Sequence, residues 1–146
     1  MRIWWGEPSM ADLTAMQSGS LGGNIGIEFT AFGDDWLRAR MPVDARTHQP
    51  YGRLHGGASV VLAETLASAA GILVVDESKF LAVGLEINAN HLRPVAGGFV
   101  EATATPEALG RQHHVWTVRI RDATDRLVCI ARVTLAILPA DRMAVT

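Results

Sequence analysis

Apolar and polar positions change their spacing several times along the chain, and each change marks the start of a predicted element. Residues 9–17 place apolar side chains at helical spacing after Ser9, which is a favourable residue for a helix N-cap. Residues 26–32 alternate apolar and polar side chains, which is typical of a half-buried strand. The turn sequence Gly-Asp-Asp at 33–35 then predicts a hairpin whose second strand covers 36–41.

Two segments rich in glycine or proline, residues 18–24 and 42–52, are predicted to be irregular. After the second of them, residues 55–75 are almost all apolar or small, so they predict one long buried helix that begins at a His-Gly-Gly sequence. Residues 57–75 approach the length of a membrane span, but Glu64 interrupts them and basic flanks are absent. We therefore interpret it as the core helix of a globular domain.

Four further strands are predicted after the long helix. They cover residues 81–93, 99–105, 113–121 and 127–138, with short turns between them. In the first of these strands, strict alternation puts five apolar residues on one side, namely Leu81, Val83, Leu85, Ile87 and Ala89. Because short turns favour antiparallel pairing, the pattern predicts an α+β fold in which an antiparallel sheet of about six strands wraps around one long helix.

Composition and charge narrow the range of functions. A chain of 146 residues with 49% hydrophobic and 19% charged residues predicts one globular domain over residues 1–146. The net charge of -2 gives no reason to expect a nucleic-acid or membrane partner. The single cysteine, Cys129, lies in an apolar run and fits a buried thiol in a reducing compartment. Because the N-terminal residues also show no signal-peptide core, we expect a cytoplasmic protein.

The charged residue within the long helix is Glu64, and a carboxylate among apolar residues must be paired, protonated or functional. Glu64 shares one helical face with Ser68, four residues further on, and with Val60, Val61 and Ile72. A structural ion pair is the alternative explanation, although the helix itself contains no Lys or Arg. Since a second apolar face on a helix commonly packs against another subunit, the pattern also predicts a homodimer.

The His-Gly-Gly start of the helix is suited to stabilising negative charge. The first amide groups of a helix have no intrahelical partner, and the helix dipole is positive at that end. Gly56 would let a carbonyl oxygen that becomes an oxyanion approach the backbone, and the side-chain amide of Gln49 could donate to the same oxygen. The alternative is a glycine-rich turn that chain geometry alone requires.

The spacing of Gly56 and Glu64 separates the two residues within one chain. Eight residues along a helix span about 12 Å, which is too far for both to act on one carbon atom. Two such helices packed antiparallel about a twofold axis would bring Glu64 of one protomer near Gly56 of the other, in composite active sites. His91 would point toward this site or be an ordinary core histidine. The histidines do not show metal-motif spacing, so no metal is expected.

Two segments carry a family resemblance. The run MPVDARTHQPYGRLHGGASVVLAETLASAAG over residues 41–71, followed by VGLEINANHLRPV over residues 83–95, resembles the hotdog-fold acyl-CoA thioesterases. The resemblance is greatest to the branch that contains 4-hydroxybenzoyl-CoA thioesterase and the thioesterases of the menaquinone and enterobactin pathways, and it covers about residues 25–138. It implies a hotdog fold, with an antiparallel sheet around a central helix, and dimers that pair into a homotetramer.

The resemblance also implies roles for the candidate residues. Glu64 would be the catalytic carboxylate, as a nucleophile or as a general base acting on water. Gly56 and Gln49 would polarise the thioester carbonyl, and His55 would shape their loop and contact substrate. Ser68 would hold the lytic water or a substrate group.

The substrate itself would contact a further set of residues. His91 would lie near the acyl ring or the leaving thiol. The apolar residues beside Glu64 that would fit a ring are Val60, Val61 and Ile72. Coenzyme A carries phosphates that need basic residues, and the candidates for these contacts are Arg93, Arg111 and His113. Ordinary surface positions explain these three charges equally well.

The function that this resemblance implies is hydrolysis of acyl-CoA thioesters to the free acid and coenzyme A. The branch favours aromatic acyl groups, such as hydroxybenzoyl or dihydroxynaphthoyl. No separate cofactor is expected, because coenzyme A is part of the substrate. Two alternatives stay open, which are proofreading hydrolysis of acyl groups bound to a carrier protein and non-catalytic binding of acyl-CoA.

Overall fold

The computed structural model describes residues 1–144, which form an antiparallel sheet around one long helix. The helices are α1 (Met10–Met16), α2 (Leu21–Asn24) and α3 (Gly56–Val74), and a 3-10 helix covers Ala140–Ala144. The strands are β1 (Glu28–Phe32), β2 (Leu37–Pro42), β3 (Phe80–His91), β4 (Phe99–Leu109), β5 (His113–Asp122) and β6 (Leu127–Pro139). Their order in the sheet is β1-β2-β4-β5-β6-β3, and all neighbours pair antiparallel. The predicted α+β architecture of six strands, a central helix and a short N-terminal helix is confirmed.

Helix α3 is the core helix on which β2 to β6 pack. Its buried residues are mostly small, namely Ser59, Leu62, Ala63, Leu66, Ala67, Ala70 and Gly71. The small residues let the helix lie close to the sheet, since a side chain on Gly71 would overlap Cδ1 of Leu135 in β6. By length and composition alone α3 could cross a membrane. Its packing against the sheet instead supports the interpretation as a core helix.

The structure of the N-terminal segment agrees with the prediction in one part and differs from it in another. Helix α1 begins where predicted, with Oγ of Ser9 accepting from the N–H of Asp12 at 3.2 Å. The segment 18–24, however, was predicted to be irregular and instead contains α2. The glycines of α2 serve close packing, since a side chain on Gly23 would overlap the carbonyl oxygen of Gln17. The prediction was wrong here because tertiary packing outweighs the low helix propensity of glycine.

Strand β3 contains a β-bulge that the sequence did not reveal. Gly84 pairs with Leu135 and Glu86 pairs with Thr134, which leaves Leu85 without a partner in the ladder. One extra residue moves the following side chains to the opposite faces. The predicted single apolar face of β3 is therefore wrong. Ala82 is buried before the bulge, Leu85 is 60% exposed, and only after the bulge do Ile87 and Ala89 pack against the core.

Candidate active site

Two cavities adjoin helix α3 at different points along its length. The first has a volume of about 360 Å³ and is here called the glycine cavity; its lining residues are Gln49, Arg53, Leu54, Gly56, Ser59, His91, Leu92, Arg93, Pro94 and Val128. The second has a volume of about 470 Å³ and is here called the glutamate cavity; its lining residues are Leu21, Val60, Val61, Glu64, Thr65, Gly84, Leu85, Glu86 and Ile87. Gly56 and Glu64 thus lie in separate cavities of one chain, as their spacing predicted.

The start of α3 leaves one amide donor unused. His55 is the N-cap, and its Nδ1 accepts from the N–H of Gly57 at 2.7 Å. The accepting Nδ1 carries no proton, so the neutral imidazole has its proton on Nε2. The N–H of His55 donates to the carbonyl of Thr47 at 2.7 Å. The N–H of Gly56 has no acceptor within residues 1–144, so it can donate to a ligand at the positive end of the helix.

The side-chain amide of Gln49 is oriented by its own loop. Its Oε1 accepts from the N–H of Tyr51, and its backbone N–H donates to the carbonyl of Arg53 at 2.8 Å. With the oxygen engaged in the loop, the Nε2 group is left as the donor that can reach a ligand. The glycine cavity therefore contains two donors, the Gly56 N–H and the Gln49 Nε2 group, and this arrangement fits a carbonyl oxygen that gains negative charge.

His91 packs directly against Gly56. A Cβ atom on Gly56 would lie 2.8 Å from Nε2 of His91 and 3.0 Å from its Cε1. The absence of a side chain at position 56 is thus what lets the imidazole from the end of β3 reach the start of α3. The structure brings together Gly56, Gln49 and His91, which the sequence had singled out from three separate segments.

Glu64 lies half-buried in the glutamate cavity among apolar residues. It forms no hydrogen bond or ion pair with any residue that the structure describes, so the structural ion pair considered from the sequence is not seen there. Burial raises the pKa of the Glu64 carboxyl above its ordinary value, because desolvation disfavours the charged form. Val60 and Val61 line the same cavity, as predicted from the shared helical face. An unpaired carboxylate of this kind is typical of a catalytic acid or base.

Several predicted residues lie outside both cavities. Ser68 is half-buried one turn beyond Glu64, and Ile72 packs against the core, but neither lines the glutamate cavity. Arg111 lies in the turn between β4 and β5 and His113 is the first residue of β5, where they line a different cavity with Gly110 and Gln112. Within one chain these four residues therefore line neither the glycine cavity nor the glutamate cavity.

Two basic side chains do line the glycine cavity. Arg93 was predicted, and one of its guanidinium nitrogens donates to the carbonyl of Leu127 at 2.7 Å. Arg53 was not predicted, although its place between Gln49 and His55 in the sequence was a signal that could have identified it. Both side chains give this cavity positive charge that an anionic group can bind.

The other buried reactive groups belong to the core. Cys129 is fully buried, and burial raises the pKa of its thiol, so it does not have the properties of a nucleophile. His114 is 3% exposed, and burial lowers the pKa of its imidazole, because desolvation disfavours the charged form. Among the described residues no group of three or more His, Cys, Asp or Glu side chains is placed to hold a metal ion.

Comparison with known sequences gives one family. The family model of the thioesterase superfamily matches residues 51–129. The 1,4-dihydroxy-2-naphthoyl-CoA hydrolase of Escherichia coli is 49% identical over 136 residues, which cover 93% of this chain and 99% of that protein. The proofreading thioesterase EntH of Cronobacter turicensis is 46% identical over 136 residues, which cover 93% of this chain and 98% of that protein.

Solved structures give the same result. A thioesterase of Pseudomonas aeruginosa superposes with a TM-score of 0.93 at 51% identity, and the match covers 94% of this chain and 99% of that one. The chain has a central helix wrapped by a six-stranded antiparallel sheet, and its structural neighbours are thioesterases. This architecture places it in the class of hotdog-fold proteins. Within that class the chain belongs to the thioesterase superfamily and is a thioester hydrolase.

Proposed function

We propose that this enzyme hydrolyses aromatic acyl-CoA thioesters, such as hydroxybenzoyl- or dihydroxynaphthoyl-CoA, to the free acid and coenzyme A. The observation that carries the proposal is the unpaired carboxylate of Glu64 in a cavity whose other walls are mainly apolar. The cavity offers apolar contact for an aromatic ring from Val60, Val61, Leu85 and Ile87. The relative from Escherichia coli, named a dihydroxynaphthoyl-CoA hydrolase, supports the same substrate class.

The proposed active site is shared between two subunits. Gly56 and Glu64 line separate cavities and are about 12 Å apart along α3. Two copies of α3 packed antiparallel would place Glu64 of the partner subunit opposite Gly56. Strand β3 ends the sheet and is 12 residues long, so its free edge offers a place where a second copy can continue the sheet. We propose a homodimer of this kind, and pairing of two dimers into a homotetramer.

In the proposed reaction the thioester carbonyl oxygen accepts hydrogen bonds from the Gly56 N–H and the Gln49 Nε2 group. Glu64 of the partner subunit attacks the carbonyl carbon directly or removes a proton from an attacking water. The C–S bond breaks and the thiolate of coenzyme A leaves. One water is consumed: its oxygen bonds to the acyl carbon, either in the first attack or in hydrolysis of the anhydride formed with Glu64, and one of its protons goes to the thiolate. His91 lies beside the carbonyl site and can contact the ring or the departing sulfur. The reaction uses no metal or redox cofactor.

The coenzyme A portion of the substrate would enter through the glycine cavity. Arg53 and Arg93 line that cavity and provide positive charge for phosphate groups. Arg111 and His113 line another cavity, so we assign the first phosphate contacts to Arg53 and Arg93.

A second candidate function is hydrolysis of acyl groups bound to a carrier protein. The relative from Cronobacter turicensis, which is 46% identical and named a proofreading thioesterase, favours it. The hydrolytic step would be the same, because a carrier protein presents its acyl group on the same type of thioester. The difference lies in recognition of the group beyond the sulfur.

A substrate panel distinguishes the two functions. Free thiol release is followed with benzoyl-, hydroxybenzoyl-, dihydroxynaphthoyl- and straight-chain acyl-CoA, and with an aryl group on a carrier protein. We expect kcat/KM for the best aryl-CoA to exceed that of the straight-chain substrates at least about tenfold, because an apolar cavity discriminates by roughly 1–3 kcal/mol. A higher kcat/KM for the carrier-protein thioester would establish the second function instead.

The activity should decline on the acid side with a midpoint set by Glu64. The carboxylate is required in its ionised form, and burial raises its pKa, so lowering the pH through that pKa removes the active form. We expect kcat/KM to fall about tenfold per pH unit below a midpoint that lies above the ordinary glutamate value of about 4.3. Glu86 is the other titratable group that lines this cavity, so the profile of Glu86→Gln serves as the control. A midpoint at or below the ordinary value, in protein shown to be folded, would contradict the assignment.

A further inference from the structure

Gly84 lines the glutamate cavity, and the space beside it that a side chain would occupy is taken by Glu64. A Cβ atom on Gly84 would overlap Oε1 of Glu64 and would lie 3.1 Å from its Cδ and 3.8 Å from its Oε2. These three atoms are the nearest that such a Cβ would meet. The carboxylate of Glu64 therefore occupies the volume that any other residue at position 84 would need for its first carbon.

We propose that Gly84 is a positioning residue, and that the space left by its absent side chain holds the carboxylate of Glu64 against β3 in its reactive position. This inference rests on the proposed catalytic role of Glu64. It assigns to Gly84 a role that is exerted through Glu64, without direct contact between Gly84 and the thioester.

The β-bulge is the device that brings a glycine to this place. With uninterrupted alternation, Leu85 would share the face of Ile87 and would point toward α3. The register shift between Gly84 and Glu86 leaves Leu85 unpaired and turns Gly84 toward Glu64 instead. The bulge and the glycine together thus replace a large side chain with a space for the carboxylate.

Backbone conformation does not explain the glycine. The glycines with positive φ in the described residues are Gly19, Gly26, Gly52 and Gly98, so position 84 has a backbone that other residues can adopt. Among residues 1–144 the three atoms nearest to an alanine Cβ at position 84 all belong to the end of the flexible Glu64 side chain. Alanine would therefore displace the carboxylate of Glu64 and leave the strand intact.

The test is Gly84→Ala with kcat, KM and thermal stability measured on the full chain. We expect kcat to fall about 100-fold, because a displacement of about 1 Å of a catalytic group has an effect of that size. We expect KM to change by less than about twofold and the melting temperature to stay the same. Gly97→Ala is the matched control, because a Cβ there meets nothing within 4 Å and the residue has no positive φ.

A double variant separates positioning from a structural effect. Glu64→Asp withdraws the carboxylate by one methylene group and so relieves the overlap with an alanine at position 84. If Gly84 acts through Glu64, Gly84→Ala lowers kcat much less in the Glu64→Asp background than in the wild type. An equal fold-loss in both backgrounds, or full activity of Gly84→Ala, would overturn the inference. Full activity of Glu64→Ala would overturn the proposed function itself.

Discussion

Glu64→Ala is expected to lower kcat for the best aryl-CoA substrate by about 1,000-fold while the chain stays folded. A general base or nucleophile contributes roughly 10²- to 10⁴-fold, and a loss of 1,000-fold corresponds to about 4 kcal/mol of transition-state stabilisation. The donors of the glycine cavity remain in the variant, so a residual activity above the uncatalysed rate is expected. The measurement is thiol release at saturating substrate, with KM determined in parallel.

Two further variants make this result specific. Glu64→Gln keeps the size of the side chain and removes the charge, so it should be as inactive as Glu64→Ala. Glu77→Ala removes an exposed carboxylate from the turn after α3 and should keep full activity. Wild-type turnover of folded Glu64→Ala would show that the catalytic carboxylate lies elsewhere.

Removal of the Glu64 carboxylate should change the free energy of unfolding in the opposite direction to its effect on activity. Because burial raises the pKa of Glu64 in the folded state, its favourable contribution is present when it is protonated and is lost as the pH rises through that raised pKa. Above that raised pKa the ionised, unpaired carboxylate opposes folding, and no partner is left unsatisfied when it is removed. A group that opposes folding in this way is expected in the core helix if Glu64 has the proposed catalytic role, because active sites commonly lower stability.

The central helix was predictable because its signal is local. Nearly all of residues 56–74 are apolar or small, and His55 immediately before them is the N-cap. The strands that follow were also predictable, since their alternation and turns can be recognised over short windows. In these segments, whether the chain forms a helix or a strand is determined by residues close together in the sequence, so the sequence pattern alone could predict it.

The bulge in β3 and the helix α2 depend on distant contacts instead. Whether Leu85 is paired depends on the register with Leu135 and Thr134 of β6, some 50 residues away. The packing of Gly22 in α2 involves Thr65 of α3. Alternation within β3 alone therefore assigned its first half to the wrong face.

Three residues that the sequence singled out, Gly56, Gln49 and Glu64, line the two cavities beside α3. They could be singled out because their residue types fit an oxyanion site and a buried carboxylate, and their catalytic roles stay a prediction. Gly84 was missed because a glycine in a strand gives no sign of which side chain fills its place. Arg53 was missed because the direction of a loop side chain is set by the fold.

Mixing two inactive variants is expected to restore activity if the site is shared between subunits. Gln49→Ala should lose about 100-fold in kcat through loss of one oxyanion donor, and Glu64→Ala should lose more. In a mixed dimer one site combines the intact Gln49 of one chain with Glu64 of the partner subunit, and the other site carries both changes. Random assortment makes about half of the dimers mixed, so co-expression should restore about a quarter of wild-type activity.

The size of this recovery is what makes the experiment decisive. It exceeds the activity of either variant alone by at least about 25-fold, given the losses expected for each. Co-expression of Glu64→Ala with Glu64→Gln is the matched control, because both changes affect the same half of the site and no intact site can form. Distinct tags on the two chains would verify that mixed dimers are present. If they are present and activity stays at the level of the single variants, then Gln49 and Glu64 act within one chain. The separation of about 12 Å between Gly56 and Glu64 along α3 argues against that arrangement.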